Sequence, residues 1–203
     1  MKKLFAGFGK KSKTPEPVIV VSGLPRSGTS MMMKLLSEGG LPIVTDELRE
    51  ADPDNPNGYF ELETVKKMSA GNTAWVAEAG GKAVKVISAL LEYLPAGYTY
   101  KVIFMEREIQ EILASQRKML ERRNEASPVD DARMAEKFRD HLSVIKPWLA
   151  RQPHMDVLYI SYNALMADPE PPCRRVIDFT GLSLDLERML TVPNAGLYRN
   201  RVK

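Results

Sequence analysis

The chain has 203 residues, 44% of them hydrophobic and 27% charged, with 29 basic side chains against 26 acidic ones for a net charge of +3. That composition fits one globular domain and excludes overall disorder, and no apolar run reaches the ~18 residues a membrane-spanning helix needs. A single cysteine, Cys173, rules out an internal disulfide and a cysteine-rich zinc site, and two separated histidines, His141 and His154, offer no metal centre.

Residues 1–17 carry Lys2, Lys3, Lys10, Lys11 and Lys13 against Glu16 alone. They read as a basic, disordered arm of charge +4, which leaves residues 18–203, read as one domain, near −1. The pI of 8.9 therefore reports a tail and not a basic face, which speaks against nucleic-acid binding. With Phe5 and Phe8 the arm could make weak contact with an anionic membrane surface. It contains no signal-peptide core, so the cytoplasm is the expected location.

Residues 18–22 (VIVVS) form a continuous apolar run, as in a strand covered on both faces of a parallel sheet. Gly23-Leu24-Pro25-Arg26-Ser27-Gly28-Thr29-Ser30 follows, leading into a predicted helix over 29–38. The turn-rich stretch Asp52-Pro53-Asp54-Asn55-Pro56-Asn57-Gly58 is a surface loop and a candidate wall of an acceptor pocket. A helix is predicted over 62–77, then strands over 82–87 (KAVKVI) and 101–105 (KVIFM), then a helix over 109–123. Another helix spans 131–150, entered through the acidic pair Asp130-Asp131. A last strand, 157–161 (VLYIS), precedes helices near 171–179 and 184–190, parted by Thr180-Gly181. Strands alternating with helices predict an α/β fold with a central parallel sheet flanked by helices.

The strand–loop–helix at 18–38 carries the chemistry. Glycines at 23 and 28 let successive backbone N–H groups turn into one concavity, and the helix adds its free N–H groups and positive dipole end. Such a nest holds a phosphate or sulfate. A nucleotide-hydrolysing loop would end in Gly-Lys-Ser/Thr, but here Thr29 stands in the lysine position and a base, Arg26, sits inside the loop. No strand ends in an obvious magnesium-binding aspartate, so two parts of triphosphate chemistry are missing.

GLPRSGTS resembles the phosphosulfate-binding loop of the sulfotransferases that use 3′-phosphoadenosine 5′-phosphosulfate (PAPS). Its PRSGT form is closer to the membrane-associated tyrosylprotein and carbohydrate branch and bacterial relatives than to the cytosolic enzymes. Two more motifs agree: Arg107 at the end of KVIFMER with Ser115 eight residues on, and Leu158 to Leu182, LYISYNALMADPEPPCRRVIDFTGL. The resemblance covers residues 18 to 182 and implies a P-loop nucleotide-binding fold that transfers sulfuryl to a hydroxyl or amine by in-line displacement.

On that resemblance Gly23, Pro25, Ser27, Gly28, Thr29 and Ser30 hold the 5′-phosphate. Arg26 stabilises the leaving oxygen, Arg107 and Ser115 grip the 3′-phosphate, and the basic end supplies Arg199 and Arg201. PAPS is the donor, PAP (3′-phosphoadenosine 5′-phosphate) the product, and no metal is needed. The general base is assigned to Glu47, with Asp46 and Glu61 as alternatives. The acceptor is a small-molecule, carbohydrate or protein hydroxyl. Tyr162 and Asp168 read as a loop-closing tyrosine and a helix-capping aspartate, Phe179 and Leu182 as core, Trp148 and Tyr159 as packing. The competing readings are a non-catalytic adenine-nucleotide or anion-binding module and a nucleotide kinase with an aberrant loop.

Overall fold

A computed structural model describes residues 16–46, 52, 58–125 and 129–193. Residues 1–15, Glu47, most of the 52–58 loop, Arg199 and Arg201 lie outside the described residues.

Four parallel strands build the sheet: β1 (Val18–Gly23), β2 (Ala83–Lys85), β3 (Tyr100–Glu106) and β4 (Met155–Ser161), in the order β2-β1-β3-β4. β1 is buried at every position, which explains its unbroken apolar run. Ile19 and Val21 face one core with helix α1 (Thr29–Glu38), while Val18 and Val20 face the other. The α1 side is completed by α4 (Tyr162–Ala167), α5 (Glu170–Thr180) and α6 (Leu186–Leu190). α3 (Asp131–Leu149) covers the opposite face and packs on α2 (Ile109–Arg122). Met32, Met33, Leu35 and Leu36 are fully buried, and truncating any of them to alanine would cost about 2–5 kcal/mol. That anchoring fixes where the N-terminus of α1 points. The lone Cys173 lies in the same core, and burial pushes its thiol up to about 11.

The strands and the main helices fall where periodicity predicts them, and three places differ. Residues 62–77 form no α-helix but two 3₁₀ segments, Glu63–Ala70 and Ala74–Glu78. Gly71, at φ 87°, ends the first in a left-handed turn, so one continuous helix cannot form. The strand over 82–87 is only three residues long, and a third 3₁₀ segment, Ser88–Tyr93, follows it. Tyr162 stands not in a loop but as the first residue of α4, which Ser161 caps by accepting from the Ala164 N–H. Asp168 ends that helix, and α5 begins at Glu170, after Pro169, without a side-chain cap. No described helix is long and apolar enough to cross a membrane.

Candidate functional site

All four strands end at one edge of the sheet, and the loop after β1 crosses it. Gly23 takes φ 144°, and a Cβ there would come within 2.5 Å of Ser27 Oγ and 2.6 Å of the Met105 carbonyl, so both angle and space require glycine. Gly28 takes φ 100° with the Tyr162 ring 2.5 Å from where a Cβ would stand. Between them Arg26 sits at φ 67°, a left-handed conformation that costs a non-glycine residue about 1 kcal/mol or more. The Ser27 N–H closes the turn on the Leu24 carbonyl at 3.2 Å. Ser27 is 1% exposed, and its hydroxyl has no hydrogen-bond partner among the described residues. α1 then starts at Thr29 with no acidic residue in its first turn, so no acid of the helix itself opposes an anion at its N-terminus.

Three of the residues singled out from sequence, Arg26, Arg107 and Ser115, converge. Arg26 Nε donates to Ser115 Oγ at 3.0 Å across 89 positions of chain. Arg107 Nη1 donates to the Arg26 carbonyl at 3.2 Å across 81. Arg107 also gives Nε to Glu111 Oε2 at 3.0 Å and lies with Cζ 4.2 Å from the centre of the Tyr162 ring. Asn163 Nδ2 reaches the other oxygen, Glu111 Oε1, at 3.1 Å. Burial pushes the Tyr162 phenol up, and the Arg107 charge partly offsets that. On the α3 side a cleft of about 330 Å³ opens beside the loop. Ser27, Arg107 and Asn163 border it, and Lys146 and Glu106 form an ion pair among its lining residues.

A third cation at the loop, beside Arg26 and Arg107, was not singled out from sequence. Lys85 ends β2 next to the loop, 9% exposed, with Nζ on the Tyr59 carbonyl and 3.5 Å from both Ser30 Oγ and Glu61 Oε1. Glu61 Oε2 also meets Lys66 at 3.1 Å. Asp46 points elsewhere: its Oδ2 accepts the Glu63 N–H at 2.5 Å and so caps the first 3₁₀ segment. Glu111, Asn163 and Tyr162 were likewise not singled out as site residues. Arg107-x-x-x-Glu111 was the one local signal, an i,i+4 charge pair at the start of a helix. Among the described residues no group of three His, Cys, Asp or Glu is placed to hold a metal ion.

A strand, a glycine loop and a helix in this order, at the edge of a parallel sheet, define an α/β domain with a P-loop-like fold. A sulfotransferase family model matches residues 70–186, more than half the chain, and the protein belongs to that family. The matched stretch includes Arg107 and Ser115 and begins after the glycine loop.

Solved structures agree on the fold. The sulfotransferase domain of the Synechococcus PCC 7002 olefin synthase is 14% identical at a TM-score of 0.56, covering 95% of this chain and 90% of that one. Mouse sulfotransferase SULT7A1, complexed with PAP, is 16% identical at 0.55, over 90% of this chain and 63% of the mouse chain. A sulfotransferase from Alicyclobacillus acidocaldarius is 18% identical at 0.53, over 90% and 85% respectively. No curated protein sequence matches the chain significantly.

Proposed function

We propose that this protein transfers the sulfuryl group of PAPS to a hydroxyl or amine acceptor. The observation that carries the reading is the meeting of Arg26, Arg107 and Ser115 at one loop, from positions 81 and 89 residues away from Arg26. The cradle suits the donor. A glycine-framed turn faces a helix N-terminus free of acids, and two buried or half-buried cations, Arg26 and Lys85, flank it. The PAP found with the mouse enzyme supports the same choice of nucleotide.

When bound, PAPS supplies an activated sulfur whose bond to the 5′-phosphate oxygen breaks as the acceptor oxygen bonds to it, leaving PAP. The loop N–H groups with Ser27, Thr29 and Ser30 hold the 5′-phosphate. Arg26 is assigned to the leaving oxygen, where negative charge would develop, a contact that strengthens in the transition state. Lys85, fixed by the Tyr59 carbonyl and Glu61, adds positive charge on the Ser30 side. Arg107 and Ser115 grip the 3′-phosphate, with Arg199 and Arg201 closing over it. Glu47 takes the acceptor proton; Asp46, already capping Glu63, is less suited to it, and Glu61 is held between two lysines. The acceptor class is a small-molecule, carbohydrate or protein hydroxyl.

Calorimetric titration with PAP, ADP and ATP, with and without magnesium, tests the donor. Metal-independent preference for PAP that is lost in Arg107→Ala supports the reading. Magnesium-dependent ATP binding, or no preference, overturns it in favour of a kinase or a general anion-binding module. Turnover is tested by Glu47→Gln, which should keep PAP affinity and lose transfer of labelled sulfate.

A further inference from the structure

Beneath the phosphate loop sits a buried ion pair to which the donor chemistry assigns no acid. Glu111 is 2% exposed and has both oxygens engaged, one by Arg107 and one by Asn163. The Arg107 side chain, 7% exposed, spans from that carboxylate to the Arg26 carbonyl and covers the Tyr162 ring, whose edge in turn abuts Gly28. The end of β3, the first turns of α2 and α4, and the loop therefore meet at one guanidinium.

We propose that Glu111 is a positioning residue for the donor loop. By orienting the Arg107 fork it holds the Arg26 peptide in its left-handed turn, and through that turn it sets donor affinity; the inference rests on the sulfuryl-donor reading of the loop. A planar guanidinium can serve two acceptors only if both lie along its fork, and Asn163 fixes the carboxylate that is one of them. The left-handed Arg26 is unfavourable by itself and persists only where its surroundings over-determine it. Its carbonyl accepts from Arg107, in the β3–α2 connection, and its side chain donates to Ser115 on α2, so this one residue is restrained from both ends.

The charge of Glu111 makes the proposal decidable. A buried carboxylate beside a site for a polyanion weakens binding through space, so electrostatics alone predicts that Glu111→Gln tightens PAP binding. Positioning predicts the reverse. In the full-length chain, Glu111→Gln should weaken PAP about tenfold, and Asn163→Ala, which loosens only the second grip, should weaken it about threefold. Adding Glu111→Gln to Arg107→Lys should weaken PAP no further, because both act on one fork.

Hydrogen exchange in the ligand-free protein gives a second readout. Both variants should speed exchange of the Ser27 amide and the residues around it, while α5 keeps its wild-type rate. Equal or tighter PAP binding by Glu111→Gln, or unchanged exchange in the loop, overturns the proposal. If wild type binds no PAP, the donor reading fails, and loop exchange alone decides whether Glu111 braces the turn.

Discussion

Arg26 does two jobs with incompatible demands on its residue type. Its left-handed backbone favours glycine, whereas its proposed role at the leaving oxygen requires a long cation. Comparing two truncations separates them. Arg26→Ala and Arg26→Gly both lose the Ser115 contact and should both lose sulfuryl transfer by about 100-fold or more. Only the alanine keeps the backbone strain, so the glycine variant should be the more stable of the two by about 1 kcal/mol, read by urea unfolding. An alanine variant as stable as the glycine one would mean that the loop does not hold Arg26 at positive φ.

At the scale of elements, two polar contacts tie helices to the sheet side of the molecule. Lys101, near the start of β3, donates Nζ to the Phe179 and Thr180 carbonyls at 2.8 and 2.9 Å, at the negative end of α5. Lys101→Met removes a charged donor from two helix-end acceptors and should destabilise the fold by about 2 kcal/mol, lowering Tm by roughly 4–8 °C. His141 on α3 meets Ser88 Oγ at 2.8 Å, the first residue of the 3₁₀ segment after β2. Burial holds the imidazole below its ordinary value, with Glu92 opposing. The unfolded chain therefore binds the proton first as pH falls. Stability is constant above about pH 6.5, declines below it, and levels once the folded imidazole is protonated too. His141→Gln, which can still bond Ser88, should flatten that decline in denaturation midpoints measured from pH 7.5 to 5.

These elements also mark what could be read in advance. The strand–loop–helix at 18–38 was legible because two glycines interrupt an apolar run where helical periodicity begins. Arg107 and Ser115 were legible through their spacing. Lys85 was not, because a lysine in KAVKVI looks like the solvent side of a strand; it is buried only because residues 59–61 fold over it. The bond from Asn163 to Glu111 spans 52 positions, and no local pattern announces it. Gly71-Asn72-Thr73 did carry a stop signal inside the expected helix over 62–77, and the structure breaks there.

For the molecule as a whole, one sheet edge gathers the loop, Lys85, Arg107 and the ends of β3 and β4, so ligand binding and global stability are coupled. At 100 times its Kd, PAP should stabilise the fold by about 2.7 kcal/mol, a rise in Tm of roughly 5–10 °C. On the proposed metal-free chemistry the rise should survive EDTA, and it should shrink with salt as phosphate–cation attraction is screened. Loss of the shift on chelation would point to magnesium-dependent nucleotide binding instead.

Cys173 has a practical consequence. It is the chain's only sulfhydryl, it lies on the buried face of α5, and so little of it is thiolate at neutral pH that maleimides have almost nothing to attack. A cysteine placed at Val144, 68% exposed on α3, would therefore accept a fluorophore alone, without first mutating the native thiol. The protein already has the chemical silence that single-molecule and fluorescence work normally has to engineer, and α3, which packs against α2, would carry the reporter close to the brace that holds the phosphate loop.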